Sequence, residues 1–202
     1  MHRSVSSSGR RAHTEGGHDD GPTTAIPMLP WAQAIYEERQ ANFGKDRPTS
    51  RCLPHSVTDF DGLSTFKKLI QTPNVTVLLF EEFHTFRQIF LDGRPELKAP
   101  EPAWFGYSVG RWDRDALIVT TTGLNEKTWL DDAGHPHSDA LKVIVRFERP
   151  DFGHMLVRVT IDDPKAYRSA WTVVIPWDFM PDSDLLDWVC ENERDLAHSV
   201  GK

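Results

Sequence analysis

Leu141-Lys142-Val143-Ile144-Val145-Arg146-Phe147-Glu148 and, beyond the turn Pro150-Asp151-Phe152-Gly153, Met155-Leu156-Val157-Arg158-Val159-Thr160-Ile161-Asp162 decide the fold class. In the first run Leu141, Val143, Val145 and Phe147 fall on one side, with Lys142, Arg146 and Glu148 on the other. In the second, Met155, Val157, Val159 and Ile161 oppose Arg158, Thr160 and Asp162. Alternation with a period of two describes a strand that buries one face. The intervening turn residues make the pair an antiparallel ribbon.

The same grammar extends in both directions. Val75–Phe80 is a β-branched and apolar run, and Phe86–Leu91 ends at the tight-turn dipeptide Asp92-Gly93. Trp104–Trp112 alternates Phe105, Tyr107 and Val109 with Gly106, Ser108 and Gly110, and Ala116–Thr122 returns after Asp113-Arg114-Asp115. After Asp162-Asp163-Pro164, Ser169–Trp177 makes a last strand. About seven strands joined mainly by short turns predict a mainly β protein, an antiparallel up-and-down barrel or strongly curved sheet whose closure removes exposed edges. An N-terminal helix is expected from Pro30, with Trp31, Ile35 and Tyr36 at helical spacing and Gly44 as its stop. Residues 45–72 read as irregular chain or a short helix over Leu63–Ile70. A C-terminal helix is expected from Asp182 or Ser183, with Leu185, Leu186 and Val189 on one side.

Composition bounds the rest. The 202 residues suit one core, with 39% hydrophobic residues and all seven tryptophans at or after position 31. Residues 1–26 have almost no apolar content and read as a disordered tail, which leaves 27–202 as a single barrel-like domain. A net charge of −7 with scattered basic residues argues against nucleic-acid and anionic-membrane partners, and a homodimer is left open. No apolar run reaches membrane-spanning length. Arg10-Arg11 is not followed by an apolar stretch, so the expected compartment is the cytoplasm. Cys52 and Cys190 lack metal-ligand spacing; a disulfide between them is feasible, and free thiols are ranked slightly ahead.

Three stretches offer chemistry. Gly123–Asp139 is long for this meander and gathers Asn125, Trp129, Asp131, Asp132, His135, His137 and Asp139. His137 or His135 could act as general base or acid, oriented by an aspartate, since imidazole titrates near neutral pH. The same His-x-His pair with a carboxylate could hold a metal, and a polar loop tied by Asx turns is the plain alternative. In the second stretch Glu82, His84 and Phe86 share a strand face if the strand is unbroken, placing a carboxylate beside an imidazole. The third set, Trp104, Tyr107, Trp112, Arg87, Arg94 and Arg146, would suit a planar or anionic molecule at a barrel mouth, or else is packing and solvated surface. No Gly-x-Ser-x-Gly elbow, P-loop or dinucleotide fingerprint occurs.

Gly106-Tyr107-Ser108-Val109-Gly110-Arg111-Trp112, Thr128-Trp129-Leu130-Asp131, Gly134-His135-Pro136-His137-Ser138 and Thr160-Ile161-Asp162-Asp163-Pro164-Lys165-Ala166-Tyr167 together resemble a family of largely uncharacterised bacterial proteins, over about Pro30 to Asp195. Many of its members look exported. The strand order is similar to calycin-type barrels such as lipocalins, a likeness of architecture that implies a hollow for a small hydrophobic ligand.

The expectation is therefore a cofactor-free acid–base enzyme (lyase, isomerase or cyclase type) on a small organic molecule. His137, His135, His84 and Glu82 are its proton-transfer candidates. Tyr107, Trp104, Trp129, Arg87 and Asp131 would bind or orient the substrate, with the long loop as a lid. A ligand carrier without turnover is the rival expectation, and a metal- or haem-dependent protein using His135 or His137 is a third.

Overall fold

A computed structural model describes residues 3–6, 26–62 and 65–190. Eight strands follow one another as hydrogen-bonded neighbours in a curled sheet: β2 (Phe66–Gln71), β3 (Val75–Phe80), β4 (Phe86–Phe90), β5 (Tyr107–Asp113), β6 (Ala116–Thr122), β7 (Lys142–Glu148), β8 (His154–Asp162) and β9 (Trp171–Asp178). A short β1 (Arg3–Ser6) pairs with β2 along its length and meets β9 at Ser6↔Asp178, which closes the ring. Arg3–Ser6 thus departs from the tail expected over 1–26.

The period-two reading holds strongest in β7 and β8. Val143, Val145 and Phe147 meet Ile161, Val159 and Val157 across the ladder, all buried, while Arg146 pairs with Arg158 on the outer face. The inner faces of β3, β6 and β9 add Leu78, Leu117, Val119 and Trp177 to the same core. Gly110 faces that core beside Ile89 and Leu117, where a Cβ would lie 2.8 Å from Ile89 Cγ2, so the strand can hug the sheet only with glycine there.

Several expectations change. The meander contains one parallel step: β4 and β5 pair in parallel at Ile89↔Ser108 and Phe90↔Val109, and residues 91–106 between them return the chain to the same direction. The helix expected over Leu63–Ile70 is instead a six-residue helix α2 (Val57–Gly62) followed by strand β2. Phe66, Leu69 and Ile70 have helical spacing, but the residue that faces the core with Leu69 is Lys67, a buried charge that hides the alternation.

The N-terminal helix is present as α1 (Pro30–Ala41), whereas 183–190 has no helix; the rest of the expected C-terminal helix lies outside the described residues. The backbone N–H groups of Leu186 and Trp188 donate to Glu81 Oε2 (2.8 Å) and His84 Nε2 (2.7 Å), bonds a helix would withhold. No helix among the described residues is long and apolar enough to cross a membrane.

Cys52 and Cys190 form a disulfide, against the ranking of free thiols. With Lys68–Asp184 and the Phe83–Trp188 ring pair, centroids 4.4 Å apart, it straps 180–190 across the β3–β4 turn. The bridge closes a span of 138 residues, so its removal should be costly in the unfolded-chain account. Cys190→Ser should lower stability by about 2–5 kcal/mol in urea unfolding at constant m-value. A change under about 0.5 kcal/mol would show that the strap contributes nothing to holding the fold.

Candidate active site

Helix α2 lies inside the curl of the sheet, and its start follows from local chemistry. Ser56 Oγ accepts the Asp59 N–H (3.3 Å), the capping bond of a Ser-x-x-Asp start. Thr58 Oγ1 donates to Leu130 O (2.6 Å), which ties the helix to the long loop. At the other end Trp177 Nε1 donates to Asp61 O (2.9 Å).

This placement sends two aspartates in different directions. Asp61 enters the sheet interior, fully buried with Lys67 and Arg87. Arg87 Nη1 is 3.6 Å from Asp61 Oδ2, and its other nitrogens donate to Ser108 Oγ (3.2 Å) and Thr121 Oγ1 (2.8 Å). Burial pushes the Asp61 carboxyl up and pulls Lys67 down to about 8, and in each case the opposite charges nearby offset part of the shift.

Asp59 points toward a cavity of about 360 Å³ between α2, residues 130–133 and the inner faces of β8 and β9. Val159, Ile161, Val173 and Ile175 make its apolar wall; Thr58, Asp59, Asp131 and Asp132 make its polar rim. Trp171 lies on the same wall, and its buried Nε1 has no hydrogen-bond partner among the described residues.

Behind Asp59 stands His55. Its Nδ1 bonds Asp59 Oδ2, its Nε2 lies 3.3 Å from Glu82 Oε1, and the edge of Phe83 seals the ring at 5.5 Å. Burial alone would lower the imidazole, but Asp59 and Glu82 outweigh it and raise His55 to about 9. For Asp59 burial is the largest influence and raises the carboxyl; the His55 contact opposes this, and Asp132 and Asp131 repel in the same direction as burial. At neutral pH the pair is an imidazolium against a carboxylate more basic than usual. Arg47 Nη1 holds Asp132 at 3.0 Å at the rim.

The residues expected from sequence fall into two groups. Glu82, Asp131 and Arg87 are inside or beside this region, and Trp104 supports it by donating from Nε1 to Pro54 O (2.6 Å), next to His55. The others are engaged elsewhere. Glu82 and His84 do not share a strand face: Glu82–His84 is a 3₁₀ turn with Phe83 at φ +61° and His84 at φ +48°. His84 accepts the Trp188 N–H. Tyr107 lies on the outer face against Phe90, centroids 5.5 Å apart, because Ser108 takes the inward position.

The long loop is not a free lid. His137 Nδ1 donates to Ser138 O (2.9 Å), and Nε2 accepts from Thr128 Oγ1 (2.6 Å), so both nitrogens are committed; burial keeps the ring below its ordinary range. His135 pairs through Nδ1 with Asp131 Oδ2 (2.6 Å) and stacks on Tyr36 of α1 at 4.4 Å. Partial burial would raise the Asp131 carboxyl, yet the His135 contacts hold it low. Trp129 is buried under the Arg39 guanidinium, 4.2 Å from its ring.

His55, Asp59, Asp61 and Lys67 escaped the sequence reading. Ser56-Val57-Thr58-Asp59 was the available signal for α2, and nothing in the pattern marked Asp61. His55, Asp59 and Asp132 could together hold a divalent cation, since one donor atom from each lies within 4.8 Å of the others. No family model, curated protein or solved structure matches this chain.

His55 carries a pH prediction with a definite sign. Its folded value, about 9 against 6.5, means that its contribution is complete below pH 6.5 and lost as pH rises through 9. Thermal unfolding of wild type against His55→Gln should converge over pH 6.5–9, the wild-type advantage falling by roughly 3 kcal/mol at most. A constant difference across that window would mean that His55 is neutral in the folded protein.

Proposed function

We propose that this protein is a cofactor-free acid–base enzyme acting on a compact, largely apolar molecule held in the cavity beside Asp59. The observation that carries the reading is a carboxylate on the rim of a cavity with an apolar wall, backed by an imidazole that reaches a second carboxylate. Asp59 takes a proton from an activated C–H bond, and the His55 imidazolium steadies the ionised carboxylate before the reaction. Glu82 orients His55 from the far side. Val159, Ile161, Val173 and Ile175 exclude water and strengthen the electrostatics around the carboxylate. Asp59 replaces His137 and His135 as the proton-transfer residue, because both His137 nitrogens are bonded within the loop and His135 is paired through Nδ1 with Asp131 and stacked on Tyr36, away from the cavity lining. The Cys52–Cys190 disulfide supports an oxidising compartment in place of the expected cytoplasm.

A carbon acid with a built-in leaving group tests this without knowledge of the substrate. In 5-nitrobenzisoxazole, removal of the ring C–H proton breaks the N–O bond and releases a coloured cyanophenolate. Wild type should accelerate this ring opening, and Asp59→Asn should lose about 10²–10⁴-fold of the acceleration. The acid limb of the wild-type profile should lie above the ordinary aspartate value, since Asp59 is raised. Val173→Trp, which fills the cavity, should abolish turnover as well. Equal rates for wild type and Asp59→Asn would defeat the proposal.

A further inference from the structure

The opposite mouth of the sheet has different chemistry. Where β2, β5 and β7 end and β3, β6 and β8 begin, Leu69, Thr76, Trp112, Leu117, Phe147 and Met155 enclose a pocket of about 220 Å³. On β8 the nearest lining residues of the two pockets, Met155 and Val159, are four residues apart, about 13 Å of strand, and no residue lines both. The two pockets are therefore separate sites on one sheet.

Two features of this pocket point to an occupant. Thr76 is fully buried on its wall, and its Oγ1 has no hydrogen-bond partner among the described residues. A buried hydroxyl without a partner costs about 1–3 kcal/mol, and a bound hydroxyl would remove that cost. Trp112 stands at the lip with 49% of its surface exposed, a planar apolar face left in water. Arg149 at the rim donates from Nε to Asp151 O (3.2 Å) and from Nη2 to Phe152 O and lies against the Phe152 ring, and Asp115 at the same rim balances its charge, so the lining carries no net charge that would select an anion. A cavity of about 150 Å³ lined by apolar side chains encloses benzene, so this one has room for a substituted ring or two fused rings.

We infer that this mouth binds a neutral planar molecule of one or two rings bearing a hydroxyl, with the hydroxyl on Thr76 and the ring against Trp112. The site stands apart from Asp59 and does not depend on the acid–base reading.

The probe pair is 2-naphthol and naphthalene, titrated into the full-length protein by calorimetry. Wild type should bind 2-naphthol saturably at one site, and about fivefold to tenfold more tightly than naphthalene. Thr76→Val should erase that preference while keeping naphthalene binding. Leu117→Trp should abolish both, and Trp112→Ala, at a half-exposed position that does not threaten folding, should weaken both. Thr76→Val and Trp112→Ala should keep any Asp59-dependent ring opening, which separates this test from the previous one. No saturable binding, a preference unchanged in Thr76→Val, or binding that survives Leu117→Trp or Trp112→Ala would overturn the inference.

Discussion

The Asp61 carboxyl, enclosed with Arg87 and Lys67 inside a curled sheet, is the constraint from which the placement of α2 follows. Charges this deeply buried are costly unless they are paired. Arg87 faces Asp61 at 3.6 Å and is itself held by Ser108 and Thr121, whose hydroxyls are 2.8 Å apart, while the Asp61 carboxylate oxygens have no hydrogen-bond partner among the described residues. The Asp61 backbone is held too, since its carbonyl accepts from Trp177 and from Lys67 Nζ (3.4 Å). These contacts fix the rotation of α2. Asp59, two residues earlier, is turned by about 200° around the helix, and so faces the loop and the cavity. The same short helix thus carries Asp61 inward to Arg87 and Lys67 and Asp59 outward to the loop and the cavity.

A second constraint joins segments far apart in sequence. Asp163 accepts from both the N–H and the Oγ of Ser138, at 2.6 and 2.7 Å, and Tyr167 donates to Pro136 O at 2.7 Å. Helix α1 closes over the same loop through Trp31 to Lys165 O and Arg39 to Gly134 O. The two motif-rich stretches Gly134–Ser138 and Asp162–Tyr167 are thus halves of one knot. Its effect on the site is positional: with His135 drawn toward Tyr36, Asp131 and Asp132 are left on the cavity rim.

Legibility from sequence followed the side chains that obey a period. In β7 and β8 every inward position is apolar, so the strands could be read directly. Lys67 broke the pattern in β2, and Phe83 with a left-handed backbone broke the strand assumed through Glu82 and His84. The exposed Leu186 and Val189 imitated a helix face, yet their segment is governed by Glu81, His84 and Cys190, all distant partners. The site suffered most. Histidines crowded into one loop drew attention because they were close in sequence, whereas His55, Asp59 and Glu82 are brought together only by α2 and the β3–β4 turn.

The strap connects these constraints to chemistry. Cys190 is tied to Cys52, three residues before His55, while Trp188 presses on Phe83, whose ring in turn meets His55. Aromatic cover on the imidazole keeps water from competing for its two nitrogens, and a drier environment strengthens the pull of Asp59 on the Nδ1–H and of Glu82 on the Nε2–H. Burial by itself would discharge His55; burial together with two carboxylates instead keeps it protonated to about pH 9. The same enclosure raises Asp59, so the carboxylate facing the cavity is more basic than one in water. Covering the back of the pair with a tethered segment leaves Asp59 facing the cavity, and it is on this arrangement that the proposed proton transfer rests.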